Sequence, residues 1–111
     1  MDLKKLKIDE VEKISYINFS DYEMVTYDET EMVIYFLNAI EDIDKCVQYC
    51  DSLRMTTNNR IVLVYEKGQK LLNRDSIIKP FKTGVYLNYK MKAPMLCSLD
   101  KKLSAMVFMK E

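Results

Sequence analysis

A chain of 111 residues, 49% hydrophobic and 31% charged, is long enough for one domain with a real core and too short for two, and this composition excludes a disordered chain. Histidine is absent, glycine and proline number two each, and seventeen Lys+Arg balance seventeen Asp+Glu. Those counts exclude Ser-His-Asp hydrolysis, imidazole metal sites and the glycine-rich loops that cradle nucleotide phosphates.

The N-terminal MDLKKLKIDE carries lysines with no apolar stretch behind them, so it does not read as a secretory signal. Leu3, Leu6, Val11 and Ile14 give a weak helical spacing. ISYINF (14–19) is β-branched and aromatic and predicts a first strand; residues 20–31 are polar and acidic and predict a loop or a short irregular strand. MVIYFLN (32–38) is a continuous run of strand formers, the pattern of a strand buried on both faces.

EDIDKCVQYCDSLR (41–54) is the clearest helix. Ile43, Cys46, Val47, Cys50 and Leu53 fall on one stripe, acidic residues fill the first turn, and Arg54 suits the negative pole. Asn58-Asn59 predicts a turn into RIVLVYE (60–66), a second buried strand. Beyond Lys67-Gly68, Asn73 is placed to cap a short helix with Ile77, Ile78 and Phe81 on its apolar face; Pro80 limits the helix and Thr83-Gly84 ends it. VYLNYKMKAPMLCSLD (85–100) and LSAMVFMK (103–110) predict a tight antiparallel hairpin. No apolar run approaches the roughly 18 residues of a membrane span.

These elements predict a single α/β domain over residues 1–111, with one small mixed sheet in two or three layers. Its parallel central strands would be joined by right-handed helical crossovers, with a C-terminal antiparallel hairpin closing one edge.

The charge is balanced overall but not along the chain. Residues 1–59 hold six Lys+Arg against thirteen Asp+Glu, and residues 60–111 hold eleven against four. We expect the halves to interleave and attract one another; separated halves would instead leave a face for anions or for a second copy of the chain.

Cys46 and Cys50 lie on the apolar stripe and Cys97 in a strand, so all three are expected to pack as small hydrophobes rather than bind metal. An odd number without framework spacing fits a reducing, cytoplasmic setting. The carboxylates Asp42 and Asp44 are accounted for by the helix dipole, and Asp28, Glu29 and Glu31 by a solvated loop. Met91, Met95, Met106 and Met109 read as core filler. Tyr86 and Tyr89 have opposite strand parity, which counts against a base-stacking platform.

The one functional cluster legible in the sequence lies between strand and second helix. Lys67, Lys70, Asn73, Arg74 and Asp75 follow a strand end and open a helix, where open α/β sheets bind ligands and where helix termini favour anions. The plainer expectation is structural: Asn73 caps the helix, while Arg74 and Asp75 pair with the hairpin at Asp100 or Lys101 and Lys102.

MVIYFLN, EDIDKCVQYCDSLR, RIVLVYEKG, LNRD and LDKKLSAMVF together resemble a family of small bacterial domains of unknown function, the DUF3052-like type, over about residues 32–110. Asn73, Arg74 and Asp75 match that family's triplet, and Asp100, Ser104, Ala105 and Phe108 match its hairpin motif. Leu103 replaces the family's tryptophan and Glu66 a loop proline, so an activity carried by either would be missing. The element order is also similar to the C-terminal half of a Rossmann-like methyltransferase fold, without the glycine-rich S-adenosylmethionine loop. The resemblance implies a reduced, non-catalytic relative with no cofactor and no catalytic or metal residues.

The expected function is therefore protein contact, as a homodimer or with an unidentified protein partner, and not with nucleic acid or membrane. The alternative is an anion- or nucleotide-binding protein using Lys67, Lys70, Asn73, Arg74, Asp75 and Ser104.

Overall fold

The computed structural model describes residue 6 and residues 8–19 and 29–111. Five strands form one mixed sheet: β1 (Ile14–Ile17), β2 (Thr30–Phe36), β3 (Met55–Glu66), β4 (Tyr89–Ser98) and β5 (Leu103–Lys110), in the order β1-β2-β3-β5-β4. The pairs β1·β2 and β2·β3 are parallel, and β5 runs antiparallel to both β3 and β4. Helix α1 (Asp42–Asp51) links β2 to β3, and α2 (Arg74–Lys82) links β3 to β4. Both crossovers advance in the same direction across the sheet, and right-handed connections then put both helices on one face.

The strand alternation divides the core accordingly. Val33, Tyr35, Ile61, Leu63, Tyr65, Met106 and Phe108 meet Ile43, Cys46, Val47 and Cys50 of α1 and Ile77 of α2. On the opposite face Met32, Ile34, Val62, Val64, Ala105 and Val107 pack with Leu6, Ile8 and Val11. Every residue of β3 from Arg60 to Tyr65 is buried, as the uninterrupted run RIVLVY requires. Within the weak N-terminal helical spacing the described residues include a 3-10 turn, Ile8–Glu10; of the segment expected over 20–31, Thr30 and Glu31 open β2, while residues 1–5, 7 and 20–28 lie outside the described residues.

The hairpin forms as expected, with a refinement. Its second strand, β5, inserts between β3 and β4, so β4 is the edge. That edge carries Lys90, Lys92 and Pro94, and its pairing is irregular between Met91 and Leu96. Charge, proline and irregular register are the devices that keep an edge from recruiting another strand.

Asn58-Asn59 is not a turn. Both residues lie inside β3, which begins at Met55 and bulges against β2 between the pairs Thr30↔Met55 and Met32↔Arg60. Buried Asn59 fills the place of missing ladder bonds: its Nδ2 donates to Thr56 O (2.8 Å) and Lys110 O (2.7 Å), and its Oδ1 accepts from Lys110 N (2.8 Å).

Arg54 does not serve α1 either, because the helix ends three residues before it. Lys110 of β5 supplies the cation instead, its Nζ donating to Cys50 O (2.8 Å) and Leu53 O (3.1 Å).

Phe108 is fully buried and stacks on Phe81 of α2 with ring centroids 3.9 Å apart. Truncation to Phe108→Ala removes the contact that seats α2 on the sheet, and we expect a loss of about 3–5 kcal/mol in urea unfolding.

Candidate functional site

The sequence-predicted cluster sits where β3 leaves the sheet and α2 begins. Asn73 is extended and caps the helix through a reciprocal pair: its Oδ1 accepts from Ser76 N (3.0 Å) and its own N–H donates to Ser76 Oγ (2.9 Å). Its Nδ2 donates back to Lys70 O (2.8 Å), which closes the loop. Asp75 in the first turn and Lys79 and Lys82 in the last complement the dipole, and Gly84 (φ +81°) supplies the left-handed exit. The first-turn donor that an anion would need at Ser76 is therefore already taken by the protein itself.

The rest of the cluster is divided. Arg74 Nε lies 3.5 Å from Asp75 Oδ1, and both side chains are largely exposed. The expected docking of Arg74 and Asp75 onto Asp100, Lys101 or Lys102 is not what the hairpin uses. Asp100 Oδ1 instead accepts from Lys102 N (2.8 Å) and Leu103 N (2.7 Å), which ties its own turn and holds the carboxyl below its usual range.

Lys67 makes the long-range contact in their place, its Nζ donating to Ser98 Oγ and to Asp100 O (2.7 Å). Ser104 is buried on β5 and donates to Cys97 O (3.3 Å), an intra-hairpin role away from Arg74. Lys70 is exposed. Thus Asn73, Arg74 and Asp75 stay together at the helix start, while Lys67 and Ser104 belong to the hairpin.

Two surface features gather around these elements. Between α2 and the edge strand runs an open groove of about 290 Å³, lined by Arg74, Asp75, Ile78, Lys82, Leu96 and Met106. Its apolar floor includes Leu96, which is 45% exposed, and its rim holds two cations and one carboxylate. At the strand end, Glu66, Lys67, Lys101 and Lys102 surround a shallow depression of about 400 Å³. Sequence reasoning missed Leu96 because strand alternation does not reveal which face of an edge strand stays uncovered.

The remaining candidates resolve into structure. Cys46 and Cys50 pack in the helix-side core; the bond to Cys50 and burial push the Cys46 thiol well up, which disfavours the reactive thiolate. Cys97 is half-buried against the second cluster. Among the described residues, no three potential metal ligands converge. No helix among them is long and apolar enough to cross a membrane.

Asp42 is buried and accepts from Asn38 N (2.7 Å) and Ala39 N (3.1 Å). Glu31 accepts from Glu12 N and Lys13 N, each 3.4 Å away. Of the methionines, Met106 is buried and Met91 and Met109 half-buried; Met95's side chain lies outside the description.

Tyr86 and Tyr89 do share a face, because β4 begins at Tyr89 and strand parity does not reach Tyr86. Both rings gather at Phe81, and their hydroxyls donate to Asp44 and Asp51 of α1. They tie the strand's start to α1.

No protein-family model, curated protein or solved structure matches the chain. The likeness to DUF3052-like domains thus rests on the sequence motifs alone.

Two outcomes test this structural account. Asn73→Ala should cost about 1 kcal/mol in urea unfolding, while Arg74→Ala should stay within about 0.5 kcal/mol. The second is alkaline. Burial, then the bond to Asp51, raises the Tyr89 phenol far above its ordinary value. A raised phenol contributes stability that is intact below the unfolded value of about 10 and declines as pH rises past it. Denaturation midpoints should therefore fall above about pH 10 and fall less steeply in Tyr89→Phe, with a residual slope because Tyr35 and Tyr86 are also raised.

Proposed function

We propose that the chain is a non-catalytic domain acting through protein contacts, and that its partner is a second copy of itself. The observation that carries this reading is the lateral separation of charge. The acidic half contributes β1, β2 and α1, and the basic half contributes α2, β5 and β4, on opposite sides of the central strand β3. The expected interleaving does not occur in that order. The exposed charges follow: Glu41, Asp44 and Asp51 at α1, with only Lys45 opposing them, and Arg74, Lys79 and Lys82 at α2 beside Asp75.

Two such copies related by a two-fold axis put acid on base twice, since a two-fold interface pairs each patch with its complement reciprocally. The groove between α2 and β4 is the docking surface. Its apolar floor and cationic rim complement the start of α1, where Ile40 is 38% exposed and stands next to Glu41. Glu41 makes no side-chain cap bond to its own helix, so its carboxylate is available for the contact. The guarded edge of β4 points the same way, because it favours association through side chains over sheet extension.

Anion or nucleotide binding at the end of β3 is the second reading. It is supported by the three lysines around the depression there.

Sedimentation velocity tests the first. A dimer is expected at low salt that weakens as salt rises. Lys82→Glu and Glu41→Lys should each abolish it, and mixing the two variants should restore it, because a mixed pair regains both opposite-charge contacts. A monomer at low salt, or a dimer indifferent to both variants, would count against the proposal.

A further inference from the structure

The face of the sheet away from the helices holds a deficit that neither reading above uses. Arg60 opens the regular part of β3 opposite Met32, and it is 8% exposed, yet its Nε has no hydrogen-bond partner among the described residues. Thr30 opens β2 one pleat before Met32 and on the same face, is fully buried, and its Oγ1 is likewise without a partner among them. Two unfilled donors therefore stand on adjacent strands of one face.

A second cation approaches the same place from the edge. By the pairing Lys90↔Met109, Lys92 projects on this face too, and its Nζ donates to Asn59 O (3.1 Å), the carbonyl of the peptide that leads into Arg60. Glu111 lies close by but is engaged with Lys90.

A buried cation without a counter-charge is costly, and so is a buried hydroxyl without an acceptor. Such groups persist in a native chain when an unseen water or ion completes them. One ligand answers both deficits here if it carries negative charge and offers at least two acceptor oxygens. A guanidinium and a hydroxyl both donate to an oxyanion, and the apolar neighbours Met32 and Val62 strengthen such contacts by excluding water.

We infer that Arg60 and Thr30 form a binding site for a small oxyanion, a carboxylate or a phosphate group, with Lys92 adding attraction. It lies away from the cluster read from sequence. Lys67 follows the far end of β3, seven residues beyond Arg60 or roughly 23 Å of extended chain, and its side chain is turned to the hairpin.

The test is thermal unfolding of the full chain in inorganic phosphate or in acetate, against chloride at equal ionic strength. At about five times the dissociation constant, the wild type should gain roughly 4–8 °C from one of the two anions. Phosphate acting alone identifies a phosphorylated ligand, and acetate acting alone a carboxylate.

Arg60→Met and Thr30→Val should each lose that increment while keeping a native circular dichroism spectrum, since apolar replacements of similar volume are tolerated at such sites. If Arg60→Met does not fold, Thr30→Val decides alone. No gain from either anion, or an equal gain in wild type and variants, overturns the inference.

Discussion

Everything in this fold follows from one strand that no water reaches. From Arg60 to Tyr65, β3 is covered on both faces and hydrogen-bonded on both edges, by β2 on one side and β5 on the other. A strand in that position needs two separate apolar layers, and the described residues hold two α-helices to supply them. Spending both on one face leaves the other to the N-terminal segment, where Leu6, Ile8 and Val11 do the work of a helix. The change from parallel to antiparallel pairing across β3 lets a short connection, the Asp100 turn, join β4 to β5.

Polar groups then fix what the apolar layers leave free. Apolar packing alone tolerates slippage along a strand, but Asn59 bonding both polar groups of Lys110 sets the β3–β5 register at its irregular end. Lys67 reaching Ser98 and Asp100 does the same at the other end, across the hairpin. The chemistry of Asn-Arg-Asp is consumed in this work: its amide closes a capping box, and its two charges face each other at the surface.

Most of the architecture was legible because burial on both faces leaves an unmistakable mark. RIVLVYE and MVIYFLN could hardly be anything but central strands, and the stripe from Ile43 to Cys50 could hardly be anything but a packed helix. The errors have a common cause, that local chemistry was given partners from nearby in sequence. Asn58-Asn59 looked like a turn because its real partner is Lys110, and Arg54 looked like a helix cap because Lys110 fills that place too. The charged halves were expected to mix, yet a sheet that grows mostly in one direction keeps them apart. Arg60 drew no notice at the head of an apolar run, because a strand's first residue usually reaches solvent and this one does not.

The reach of Lys110 also sets a timetable. The last carbonyls of α1 are met by a side chain about sixty positions downstream, on the final strand. A ribosome delivering this chain releases α1 well before β5, so the bonds from Lys110 to those carbonyls form only once β5 has emerged. The inserted position of β5 imposes the same delay on the sheet, since β3 and β4 cannot be joined without it. The sheet is thus closed only by β5, and until that strand arrives the hydrogen-bonding edge of β3 that it occupies stays uncovered.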